Sequence, residues 1–147
     1  MMSLSAFVVP VLLDTNPDAN HMVRQWARLY HYGHIYLPAL CIATVGLYGL
    51  TAARRRSDKR PQWTRYALAG LSTVAMVPFT WLIMTPTNDT LFRLEAAALA
   101  GSAPAAELAD VRDLVVHWAW LHATRSLSPL VGAYLGFTNL LGEVRLQ

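Results

Sequence analysis

Long uninterrupted apolar runs, rather than strict alternation or a narrow stripe, dominate the chain. From Leu29 to Ala53 there is no Asp, Glu, Lys or Arg, and these 25 residues exceed the roughly 20 a helix needs to cross a bilayer core. Tyr66 to Asn88 supplies another 23 uncharged residues, and Leu114 to Gly142 supplies 29 with Arg125 as the single charged side chain. Met1 to Leu13 is apolar as well, but at about 1.5 Å per residue it reaches only about two-thirds of the way across a core of about 30 Å. It predicts the latter half of a span, so that the chain either begins inside the bilayer or lacks its upstream end. A signal peptide would need a basic start and a small-residue cleavage pattern, and neither is present. The expected fold is therefore all-α: a single membrane-embedded domain over residues 1–147, a four-helix bundle with spans near 1–13 (partial), 29–53, 66–88 and 114–142, its first helix short or truncated.

Punctuation within the runs adds detail. Asn16-Pro17-Asp18 predicts a helix start, with Asn16 as N-cap, Pro17 in the first helical position and an acidic residue in the first turn. The second helix is thus expected to begin well before the membrane. Pro38, Pro78 and Pro129 interrupt the second, third and fourth helices, each freeing a backbone carbonyl that a neighbour must satisfy. Leu91 to Leu99 predicts a short helix, followed by a break at Gly101-Ser102-Ala103-Pro104 and a lead-in to the last helix over residues 105–113.

Composition agrees with a lipid environment, since 54% of the 147 residues are hydrophobic and only 14% are charged. A single cysteine, Cys41, excludes a disulfide framework and every multi-cysteine metal site, and in mid-span it predicts an inert small hydrophobe. The net charge of +3 becomes informative once it is placed along the chain. Arg54, Arg55, Arg56, Lys59, Arg60 and Arg65 hold six of the twelve basic residues within the loop 54–65, which predicts a cytoplasmic side for that loop. Residues 14–28 and 89–113 then fall opposite, with Arg24, Arg28, Arg93 and Arg112 against seven acidic residues. No aromatic or glycine-rich recognition pattern accompanies the basic loop, so nucleic acid is not expected as a partner.

Ionisable groups inside a span cost about 2.5–3.5 kcal/mol on insertion scales and normally face the bundle interior or water. Arg125 is the clearest case, and it shares a helical stripe with Trp118, His122 and Pro129 at spacings of four, three and four. His31 and His34 lie three apart on one face of the second helix, and His117 sits on a face next to that of Trp118. By topology His31, His34, Asn88, His117 and His122 belong to the non-cytoplasmic half, where one cavity could gather them. The plainer alternative is that the histidines are interhelical hydrogen-bond partners and that Arg125 pairs with Asp113 or a carbonyl. A histidine-only metal or haem site is a further alternative, although no HExxH, no Glu-x-x-His pair and no carboxylate lies within the spans. Gly132 and Gly136 form a GxxxG pair expected to mark close helix packing, and Asn88-Asp89-Thr90 is a glycosylation sequon that competes with any buried role for Asn88.

Three stretches carry a resemblance: Trp26-x-x-x-Tyr30-x-x-Gly33-His34-x-x-x-Pro38, Met84-Thr85-Pro86-Thr87-Asn88, and Trp118-x-x-Leu121-His122-x-x-Arg125. In their order and at helix ends they resemble the fungal anthrone oxygenase family, small multi-pass membrane proteins of aromatic polyketide pathways. The family opens with a complete first helix, of which this sequence holds the latter part. The resemblance implies an enzyme, a monooxygenase that oxidises an anthrone to an anthraquinone with O2 as co-substrate and without flavin, haem or metal. It also implies a planar polyphenolic substrate and residence in an endomembrane. Under that reading His34 or His122 is the base, Arg125 the counter-charge, and Asn88 a hydrogen-bond donor to the substrate, while Trp26, Tyr30 and Trp118 stack on its rings. A metal-dependent or haem-dependent membrane oxidoreductase and a non-catalytic small-molecule binder are the competing classes, and the sequence leaves the oligomeric state open.

Overall fold

The computed structural model describes residues 2–101 and 106–145 and is helical throughout, with no strand among the described residues. Four helices follow one another: α1 (Leu4–Thr15), α2 (Ala19–Ser57), α3 (Trp63–Leu99) and α4 (Leu108–Val144). The all-α class and the short first helix are as the apolar runs imply. Two of the four, α2 and α3, are long and apolar enough to cross a membrane. Only 11% and 28% of their most apolar windows are buried, so side chains such as Leu40, Ile42, Leu47, Leu71 and Leu82 stand outward. Surface of that kind suits lipid better than water.

The helix starts differ from expectation in one place. Asn16 is extended, at φ −103° and ψ 109°, and closes α1 instead of capping α2. Its side-chain amide donates to the Leu12 carbonyl at 2.7 Å and to Gln25 Oε1 at 2.9 Å. Asp18 caps α2: its carboxylate accepts from the His21 N–H at 2.7 Å and its carbonyl from the Met22 N–H at 3.1 Å. Both Asn and Asp can cap; here Asn16 is buried and already committed to two acceptors, which leaves the exposed Asp18 to face the open N–H groups. At its other end α2 closes with the paired bonds Arg60 N–H to Arg55 carbonyl and Lys59 N–H to Arg56 carbonyl, with Lys59 in the left-handed region at φ 54°.

Prolines shape the helices as elementary sterics require. Pro38 and Pro129 sit inside helices that continue through them. Beyond Pro78, α3 widens into a π-helical turn over Thr80–Met84, and α1 opens with another over Leu4–Val8. Both wide turns have a proline placed to cause them. A proline ring crowds the carbonyl four residues earlier and offers it no N–H. For Pro10 that carbonyl belongs to Ala6, and for Pro86 to Leu82, the central residues of the two wide turns. The carbonyls of Leu4 and Thr80 accept instead from the N–H groups of Val9 and Thr85, five residues on. Leu91 to Leu99 is the end of α3 and not a separate helix, and Gly101 at φ +69° turns the chain out of it. The rest of the expected break, residues 102–105, lies outside the described residues.

The chain divides into two compact units. The first takes residues 1–36 and 79–125 and holds the main apolar cluster: Leu12, Met22, Val23, Trp26, Met84, Leu91, Val111, Val115 and Trp118. Members outside the apolar runs, such as Met22, Val23 and Val111, contribute about 1.5–3 kcal/mol each by leaving water, and those within the runs contribute through packing. Polar links cross between its helices, from Arg24 to the Ala98 carbonyl and from Arg112 to the Leu13 carbonyl at 3.2 Å.

The second unit takes residues 37–78 and 126–147. Here the glycine pair permits the close approach expected of it: a Cβ on Gly132 would lie 2.7 Å from the Ala69 carbonyl oxygen, and one on Gly136 2.5 Å from Cε1 of the Tyr48 ring. The Tyr48 hydroxyl donates to the Gly132 carbonyl at 3.1 Å, and Ser128 donates to the Ser72 carbonyl. Cys41 is buried with its thiol toward the Thr73 carbonyl. Arg55 forms an ion pair with Glu143, whose side chain is 5% exposed.

Candidate active site

Four of the seven singled-out residues are buried and meet within the first unit. On α4, the repeat of four residues sets Trp118 one turn before His122, and their rings stack at 5.0 Å between centroids and 30° between planes. His122 is 1% exposed and Trp118 3%. The indole N–H of Trp118 donates to Asn88 Oδ1 on α3 at 3.1 Å, and Asn88 is itself buried. That buried bond settles the competition at the sequon, because the Asn88 amide is committed to the interior of the fold. Trp26 of α2, fully buried, meets Trp118 edge-to-face at 5.9 Å.

Arg125 lies one turn beyond His122 and is half-buried. Its guanidinium donates to neither Asp113 nor a carbonyl in the bond that defines its position: Nη1 donates to Thr80 Oγ1 at 3.0 Å. Its Nε, like the indole nitrogen of Trp26, is a buried donor with no hydrogen-bond partner among the described residues. Donors held without an acceptor cost free energy, and an anionic oxygen could use them. Ser5 of α1 reaches the same stretch of α4, sharing a hydrogen bond of 3.2 Å with His122 Nδ1.

The remaining two residues lead outward. Tyr30 packs on Trp26 at 5.4 Å and is half-buried, and Phe92 closes edge-on against both, at 5.1 Å to Trp26 and 5.0 Å to Tyr30. His34 stacks on Tyr30 at 5.8 Å and 15°, but it is exposed, and its Nδ1 donates to the His31 carbonyl at 2.8 Å. Tyr30 and the two tryptophans thus stand between the imidazoles of His34 and His122 as a run of rings, each 5–6 Å from the next. His31 and His117 are exposed as well, so the four histidines and Asn88 of this half do not gather in one cavity. Among the described residues no three of His, Cys, Asp or Glu converge in an arrangement that could hold a metal ion. Phe92 is shared with an open hollow also lined by Pro86, Asp89, Thr90, Arg93 and Ala96.

Residues 26–135, which include all seven singled-out positions, match the profile described as anthrone oxygenase. The chain belongs to the anthrone oxygenase family. It is 57% identical over 145 residues to the anthrone oxygenase nsrD of Aspergillus novofumigatus, covering 99% of this chain and 86% of that relative. It is 52% identical over 144 residues to the anthrone oxygenase dmxR16 of Cryptosporiopsis sp., covering 98% and 79%. With the anthrone oxygenase AgnL2 of Paecilomyces divaricatus it shares 52% over 136 residues, 92% of this chain and 83% of that one. No solved structure matches.

Within this member of the anthrone oxygenase family, Ser5, Thr80 and Phe92 are the contacts that motif reading overlooked. A usable signal existed for the two hydroxyls, since each lies five or six residues before a proline inside an apolar helix. Phe92 sits beyond the uncharged run that ends at Asn88, where nothing in the spacing ties it to Trp26.

Proposed function

We propose that this protein oxidises an anthrone of an aromatic polyketide pathway to the anthraquinone, using O2 and no metal, haem or flavin. The observation that carries the reading is a fully buried imidazole, His122, one helical turn from the Arg125 guanidinium and stacked on Trp118. An anthrone methylene is doubly benzylic and conjugated to a carbonyl, so that loss of one proton gives an anion spread over three rings. His122 is placed to accept that proton as the general base. The anion transfers one electron to triplet O2, which avoids the spin barrier. The resulting carbon radical and superoxide combine to a peroxide at the same carbon, and protonation followed by loss of water leaves the quinone. Overall one anthrone and one O2 give one anthraquinone and one water. Arg125, always cationic, stabilises the carbanion and superoxide, while Trp26, Tyr30 and Trp118 offer flat apolar faces to the rings. Asn88 serves by holding Trp118. His34 is the weaker candidate for the base, being exposed and already bonded to a carbonyl.

In this reading the chain crosses an endomembrane several times, with spans near 29–53, 66–88 and 114–142 and the basic loop 54–65 on the cytoplasmic side. The test is oxygen uptake with a hydroxylated anthrone by purified, metal-analysed protein, with and without EDTA. Wild-type turnover without bound metal or sensitivity to chelation, and losses on the order of 100-fold or more in His122→Ala and Arg125→Met, are expected. Normal rates in both variants would remove the site assignment, and activity that tracks metal or haem content would remove the cofactor-free mechanism.

A further inference from the structure

We infer that Ser5, on the short first helix, is a positioning residue that fixes the imidazole of His122 for proton abstraction. This rests on the proposal that His122 is the base. Ser5 Oγ and His122 Nδ1 are 3.2 Å apart although 117 positions separate them in sequence, and the imidazole is 1% exposed. A buried imidazole that takes a proton at one nitrogen must carry a proton on the other beforehand, and that second N–H needs an acceptor. With Nδ1–H donating to the serine oxygen, Nε2 is the basic nitrogen. The Trp118 ring, stacked at 30°, holds the plane of the imidazole while the serine sets its rotation and its tautomer.

The backbone supports a dedicated role for this contact. Ser5 lies inside the wide turn Leu4–Val8 that Pro10 enforces. Thr80 lies inside the wide turn Thr80–Met84 that Pro86 enforces, and its hydroxyl accepts from Arg125 Nη1 at 3.0 Å. Two proline-widened turns on different helices thus each deliver one hydroxyl to the proposed base and counter-charge, which lie three residues apart on α4. Wide turns of this sort recur at functional sites. Along α4 the charged group next to the imidazole is Arg125, one turn on, and Ser5 meets it from α1.

The decisive comparison pairs Ser5→Thr with Ser5→Val, which have the same shape and differ in the hydroxyl, alongside Ser5→Ala and His122→Ala. Oxygen uptake is measured with a hydroxylated anthrone and with the same compound deuterated at its methylene carbon. Ser5→Val and Ser5→Ala are expected to lower kcat by roughly 10- to 100-fold with KM within about twofold, and to raise the isotope effect on kcat as proton removal becomes slower. Ser5→Thr restores most of the rate. Equal rates in Ser5→Thr and Ser5→Val, or losses with an unchanged isotope effect, overturn the inference while an inactive His122→Ala leaves the base assignment standing. An active His122→Ala overturns both.

Discussion

The bond between Trp118 and Asn88 lends itself to a quantitative test. Both residues are buried, the donor is an indole N–H and the acceptor an amide oxygen at 3.1 Å, so replacing one partner strands the other without water. Stranding a buried polar group costs about 1–3 kcal/mol in soluble proteins, while hydrogen bonds between helices in a membrane are worth only about 0.6–2 kcal/mol because the competing state also finds partners. A double-mutant cycle of Trp118→Phe and Asn88→Leu should therefore give a coupling energy near 1 kcal/mol, with the ring-size effect of Trp118→Phe cancelling between the two arms. Unfolding in mixed micelles titrated with SDS reads the four stabilities. Turnover supplies a second reading: Asn88→Leu, which does not touch the imidazole, should slow oxidation several-fold through the freed indole. Additivity within about 0.3 kcal/mol, together with unchanged turnover in Asn88→Leu, would refute the reasoning.

Other substitutions test separate parts of the structure. Gly132→Ala should destabilise the protein by about 1–3 kcal/mol, because its Cβ would meet the Ala69 carbonyl oxygen at 2.7 Å and a backbone atom cannot rotate aside; the SDS midpoint reads this. Arg55→Ala strands the buried Glu143 carboxylate and should cost about 3–5 kcal/mol, with Arg55→Ala/Glu143→Gln recovering part of it; equal midpoints in the single and double variants would show that the pair is idle. His34→Ala should leave oxygen uptake within about threefold of wild type, since this imidazole is exposed and bonded to a carbonyl. A loss as deep as that of His122→Ala would return His34 to the role of base.

What the sequence disclosed and what it concealed divide along a physical line. Trp118, His122 and Arg125 are legible because they lie on one helix, where a spacing of four and three decides which side chains are neighbours. The apolar runs disclose the four helices for the same reason, as each run is a local property. Contacts between helices are different. The pairing of Asn88 with Trp118 depends on the relative register of two helices, and the sequon at Asn88 suggested an exposed residue as readily as a buried one. Asn16 and Asp18 are both competent caps, and only the burial of Asn16 decides between them. His34 shares its motif with Tyr30, yet the tyrosine turns toward Trp26 and leaves the imidazole outside.

The widened stretch of α3 also sets how its length is matched to that of α4. Trp118 and Arg125 are seven positions apart, two turns of a regular helix and about 10.5 Å. Their partners Asn88 and Thr80 are eight apart, which in a regular helix would point them about 80° away from each other. By absorbing one surplus residue, the stretch makes eight positions span what seven normally do, and both polar groups meet their counterparts. It follows that Pro86, which keeps this turn wide, sets the phase between the two polar pairings although it takes part in neither.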